Sequence, residues 1–93
     1  MGVRLTGHFD VPADRLAAVT RALLDHIRLT RAEPGCRLFD VQADPEVPGR
    51  FTVSEEFVDR AAFEAHQARI AGSDWASASE GIARHYRIEE TDA

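Results

Sequence analysis

Phe51-Thr52-Val53-Ser54-Glu55-Glu56-Phe57-Val58-Asp59-Arg60-Ala61-Ala62-Phe63-Glu64-Ala65-His66-Gln67 reads as a strand running into a helix, and this reading decides the fold. Along the first half the apolar residues alternate, with Phe51, Val53 and Phe57 on one side, the pattern of a half-buried strand. Glu55 shares that side with them. Asp59 then offers a carboxylate to the free N–H groups that open a helix. On that helix Phe63, His66 and Ile70 recur at i, i+3 and i+7, which is one face. An acid on the core side of a strand and an imidazole on the core side of the next helix therefore point at one interior.

Working outward, Val3–Phe9 alternates in the same way, with Val3, Leu5, Gly7 and Phe9 on one side. Pro12 suits a first helical turn, where its missing N–H costs nothing, and Asp14 complements the positive helix end. Leu16, Val19, Leu23 and Ile27 then predict a helix running to about Arg31, ended by Pro34-Gly35. Cys36–Ala43 alternates again, with Phe39, Val41 and Ala43 together, and Asp44-Pro45 and Pro48-Gly49 form a hairpin-like loop. After the central helix Gly72 marks a stop. Ser73 caps a short piece in which Trp75, Ala78 and Ile82 repeat the helical spacing. Arg84–Glu89 closes the chain as a strand with Tyr86 and Ile88 inward.

The order is β-α-β-β-α-β, an α+β, ferredoxin-like arrangement with one four-stranded antiparallel sheet and helices on one face. The 93 residues make a single domain, with a core of about residues 3–89 and a tail at 90–93. The other sheet face would carry Arg4, Thr6, His8, Asp40, Gln42, Glu56, His85 and Arg87 beside the greasier Leu38 and Val58. A sheet-on-sheet homodimer with a mixed, wet interface accommodates such a face. A chain this short buries only roughly 60–65 % of its unfolded surface, so association hides more.

Net charge of −5 argues against nucleic acid or an anionic membrane surface as partner. The eleven basic residues are all Arg, and they are scattered. One cysteine excludes an internal disulfide and a multi-cysteine metal cluster. Cys36 follows a tight turn without a basic neighbour on its strand face and reads as inert. No apolar run approaches the length of a membrane span, and no signal-peptide pattern opens the chain, so a cytoplasmic location is expected. His8 and His85 fall on the two terminal strands, but no carboxylate accompanies them at a characteristic spacing. No metal site is expected.

Glu55 amid aromatic and β-branched neighbours needs a partner, since an unpaired buried carboxylate costs several kcal/mol or protonates. Arg37 and Arg84, both inward by strand parity, or His66 would serve. His66 is either a buried neutral imidazole satisfied by a neighbour or an acid/base group able to accept a phenolic proton. Phe9, Phe39 and Tyr86 share the inward side and make a flat apolar wall suited to an aromatic ligand. Trp75 is core, interface or ligand platform.

Glu33-Pro34-Gly35-Cys36, the proline turn from Asp44 to Gly49, Thr52–Phe57 and Asp59–Gln67 together resemble the antibiotic biosynthesis monooxygenase domain family, including its small quinol monooxygenase-type members. The resemblance covers roughly residues 3–88. It implies a homodimeric α+β barrel with a substrate cavity between the sheet and helices of each protomer. It also implies oxidation of quinols or aromatic polyketides by O2 without metal, flavin or other cofactor. In such a site His66 or Glu55 would be the catalytic base and Arg37 or Arg84 the cation. Phe39, Trp75 and Tyr86 would bind the ring. Partners would then be a second copy, a small aromatic substrate and O2. A non-oxidative use of the same scaffold, as a small-molecule binder, isomerase or cyclase, is the alternative. A haem-degrading branch of the superfamily uses an asparagine on the first strand and an axial histidine on the last helical piece. Here Gly7 and Glu80 hold those places.

Overall fold

In the computed structural model, which describes residues 1–92, strands and helices follow the sequence periodicity. They run β1 (Gly2–Asp10), a 3-10 turn (Ala13–Arg15), α1 (Leu16–Arg31), β2 (Cys36–Ala43), β3 (Arg50–Phe57), α2 (Arg60–Ile70), α3 (Asp74–Ala78) and β4 (Ala83–Thr91). The strands form one antiparallel sheet in the order β2-β3-β1-β4, the ferredoxin-like topology. Asp59 caps α2 by accepting the Ala62 N–H at 2.8 Å, and Ser73 caps α3 by accepting the Ala76 N–H at 3.2 Å.

Pairing places Leu5 beside Glu55 and Gly7 beside Val53, so the inward residues of β1 and β3 meet on one face. Val3, Leu5, Phe9, Phe51, Val53 and Phe57 are buried there against Val19 and Leu23 of α1, Phe63 of α2 and Trp75 of α3. The opposite face is polar. Arg4 lies across from Glu56, His8 from both Thr52 and His85, and Asp10 from Arg50. Leu38 and Val58 remain exposed. Among the described residues no helix is long and apolar enough to cross a membrane.

Three expectations are corrected. Arg37 is not inward. The β2–β3 register shifts between Cys36, which faces Phe57, and Leu38, which faces Glu56, leaving Arg37 as the extra residue of a bulge, exposed to solvent. The tail is shorter than expected, because Glu90 and Thr91 pair with Val3 and Gly2 of β1. Asp92 follows the strand, and Ala93 lies outside the described residues. Finally, Tyr86 and Ile88 stand on the helix side of β4 but are 38 % and 48 % exposed, since the helices sit over β1, β2 and β3.

Candidate active site

A cavity of about 150 Å³ lies between the sheet and the helices. Phe9, Phe39, Val53 and Trp75 make its apolar wall, and His26, Glu55, His66, Arg84 and Tyr86 bring polar groups to it.

His66, on the sheet-facing side of α2, is 1 % exposed. Its Nδ1 lies 2.7 Å from Oε1 of Glu33, which stands in the turn before β2. The other carboxylate oxygen of Glu33 accepts from Nε of Arg69 at 3.1 Å, and Arg69 also donates to Oγ1 of Thr30 at 2.9 Å. A carboxylate anchored in this way fixes Nδ1 as the N–H of the ring and leaves Nε2 with a free lone pair. Nε2 faces Oε1 of Glu55 at 3.7 Å, too far for a hydrogen bond. Oε1 of Glu55 is buried with no hydrogen-bond partner among the described residues.

Burial lowers the pKa of His66 and outweighs the opposing pull of the Glu33 carboxylate, so the ring is neutral in neutral solution. Glu55 itself is pushed up to about 7 by burial and by the charge of Glu33, which makes it a reservoir for a proton near neutrality. The site therefore combines a neutral base with an adjacent carboxyl that is poised between its two forms.

His26 joins the site from α1, outside the residues expected there. It stacks on Trp75 with centroids 5.0 Å apart and planes 7° apart, and meets Phe39 edge-on at 5.3 Å. Its Nδ1 is buried without a hydrogen-bond partner among the described residues, and burial takes its pKa down to about 3. The signal was available: position 26 follows Leu23 by three and Val19 by seven, on the buried stripe of α1. Glu33 was visible in the motif but had no assigned role, because a turn residue has no periodicity from which to read its direction.

Arg84 reaches the cavity and donates to Oγ of Ser79 at 2.8 Å. The phenol of Tyr86 is pushed up to about 12 by burial, so it stays a neutral donor although its ring is partly wet. Opposite it, Gly7 has φ of 153°, and a Cβ there would come within 2.0 Å of the His85 carbonyl oxygen and 2.9 Å of the Tyr86 ring. Position 7 thus has no room for a side chain. Burial and the nearby Glu33 and Glu55 raise the pKa of Cys36, keeping it a thiol. Of the residues expected in the site, His66, Glu55, Phe39, Trp75, Arg84 and Tyr86 converge on one cavity, and Arg37 does not.

The sequence profile of the family described as Antibiotic biosynthesis monooxygenase matches residues 2–80. No curated protein matches at a significant level. Among solved structures, a candidate antibiotic biosynthesis monooxygenase from Nitrosomonas europaea is similar with a TM-score of 0.83 and 22 % identity, each chain covered in full. One from Deinococcus radiodurans gives a TM-score of 0.81 and 23 % identity over 100 % of this chain and 94 % of its own. Rv0793 from Mycobacterium tuberculosis gives 0.78 and 21 % over 98 % and 95 %. At these identities the structures speak to the fold, and the profile, spanning most of the chain, speaks to the family. The chain belongs to the antibiotic biosynthesis monooxygenase family.

Proposed function

We propose that this protein is a monooxygenase that inserts one oxygen atom of O2 into a single-ring quinol, using the substrate's own electrons. The observation that carries the reading is the Glu33–His66 pair, which turns a free Nε2 lone pair toward an apolar cavity beside an unpartnered carboxyl. Size supports a single ring: an apolar cavity of about 150 Å³ holds benzene.

In this scheme Nε2 of His66 takes a phenolic proton, and Glu33 stabilises the imidazolium that forms. Arg84 places a positive charge near the phenolate and the reduced oxygen that develops from it. The electron-rich phenolate reduces O2 and bonds to it. Cleavage of the O–O bond leaves one atom on the ring, and the other leaves as water with protons drawn through Glu55 and His66. Hydroquinone plus O2 thus balances to hydroxybenzoquinone plus water, with all four electrons coming from the ring. His26 offers its unpartnered Nδ1 to a ligand hydroxyl while Trp75 and Phe39 hold the ring faces. The polar sheet face, with Leu38 and Val58 exposed on that side of the molecule, supports a homodimer.

A second reading has its own support. A neutral base beside a half-protonated acid also suits a proton transfer without oxygen, as in an isomerase or cyclase. An oxygen electrode separates the two. With hydroquinone-type substrates the expected result is one O2 consumed per product and loss of uptake in His66→Ala. Turnover at an unchanged rate under anaerobic conditions would sink the oxygenase reading in favour of the proton-transfer one.

A further inference from the structure

The four histidines of the chain divide evenly between the two sides of the sheet. His26 and His66 lie under the helices, while His8 and His85 stand on the opposite face, at the corner where β1 ends and β4 begins. His8 and His85 are direct cross-strand partners, with ring centroids 4.8 Å apart. Asp10 is two residues beyond His8 and so on the same face. One ligand atom from each of the three comes within 4.8 Å of the others.

We propose that His8, Asp10 and His85 form a binding site for a late first-row divalent cation, with Zn²⁺ as the representative ion. Two imidazole nitrogens and one carboxylate oxygen suit a borderline cation of this group, and three protein ligands leave a coordination position open to water. Bonds to Zn²⁺ of about 2.0–2.2 Å bring tetrahedral ligand atoms to within roughly 3.4 Å of each other. The three side chains must therefore close by a little over an ångström. Side-chain rotation supplies that movement while the strands stay paired, and in the sheet-on-sheet homodimer proposed above the ion lies on the face that meets the second copy.

Arg50 bears on this site directly. Its Nε donates to Oδ1 of Asp10 at 2.8 Å and a terminal nitrogen donates to Oδ2 at 3.2 Å. Each carboxylate oxygen keeps a second lone pair. Arg50 thereby acts as the outer partner that fixes the plane of a ligating carboxylate, at the expense of a positive charge near the ion. The site is accordingly a moderate binder and not a folding centre of the zinc-finger kind. The sequence hid the third ligand, because only the β1–β4 register shows that the His8–Asp10 side of β1 meets His85. An ion here clamps β4 to β1. Along β4, Arg84 and Tyr86 flank His85 and face the cavity on the other side of the sheet, so the clamp also steadies the cavity wall. The inference is independent of the oxygenase reading.

The test is calorimetric titration of the full, tag-free, chelator-stripped chain with Zn²⁺, and with Mg²⁺ as the hard-cation control. The expected result is one Zn²⁺ per chain, no Mg²⁺ binding, and at least a tenfold loss of affinity in His85→Ala and in Asp10→Asn. That loss is the size typical of removing even an outer partner. His85 is exposed in the single chain, so its truncation leaves the core intact, and sedimentation of the variant beside the parent separates a lost ligand from a lost sheet-on-sheet dimer. In parallel, Zn²⁺ should shift the imidazole NMR signals of His8 and His85 and leave those of His26 and His66 in place. Absence of saturable Zn²⁺ binding, binding unchanged in His85→Ala, or shifts confined to His26 and His66 would overturn the assignment.

Discussion

Glu33 sets the chemistry of His66 by choosing which ring nitrogen carries the proton. Glu33→Gln keeps the shape but lets the amide present either face to Nδ1, so the lone pair is no longer held toward the cavity. Steady-state oxygen uptake should fall by about 10²–10⁴-fold, the range for losing a positioned base, in both Glu33→Gln and His66→Ala. Glu55 and His26 make opposite predictions for stability. The folded pKa of Glu55, about 7, is above its ordinary 4.5, so the folded state holds a proton that the unfolded state releases between those values. Its own contribution should therefore fall as pH rises from about 4.5 to 7, by on the order of 3 kcal/mol, and the difference in stability between Glu55→Gln and the parent chain in denaturant melts should grow by that amount over the same range. His26 goes the other way, with a folded value of about 3 against 6.5. Its contribution is complete above 6.5 and is lost as pH falls toward 3. Below 4.5, where Glu55 no longer opposes it, acid unfolding should be steep, and His26→Leu should flatten it.

At the scale of the strands and helices, most of the fold was legible in the sequence, and the failures share a cause. β2 was bounded correctly from Cys36 to Ala43, and both caps, Asp59 and Ser73, were readable because capping depends on a residue and its next few neighbours. Arg37 was misread because parity counts residues, whereas a bulge absorbs one without a composition signal. The exposure of Tyr86 and Ile88 was likewise invisible, since alternation shows which side a residue takes and not whether a helix covers it. The same locality explains the site: His66 and Glu55 follow from period alone, while Glu33 depends on how a turn meets α2. Two substitutions test these placements. Arg37→Ala should change stability by less than about 0.5 kcal/mol, as for other exposed positions away from special features. Gly7→Ala should be strongly destabilising in the same melts, because backbone of β4 occupies the space its methyl would need.

For the whole molecule, one sheet face builds the cavity and the other is polar with apolar edges. Sedimentation at micromolar concentration should find twice the 10.3 kDa chain mass. Since pairs such as Arg4–Glu56 sit on the exposed face, the balance should also respond to salt. A particle of single-chain mass would show the sheet face to be solvated. One arrangement inside the molecule has an optical consequence. Trp75 is the chain's one tryptophan, and it lies flat against His26 at the cavity wall. Indole emission is quenched by a stacked protonated imidazole and moves to shorter wavelength when water leaves its surroundings. The fluorescence of the entire protein therefore originates at the cavity. Acid entry at His26 should dim it, and a ring bound beside Trp75 should change its colour or intensity, so that occupancy is readable in real time without a label and whether or not turnover follows.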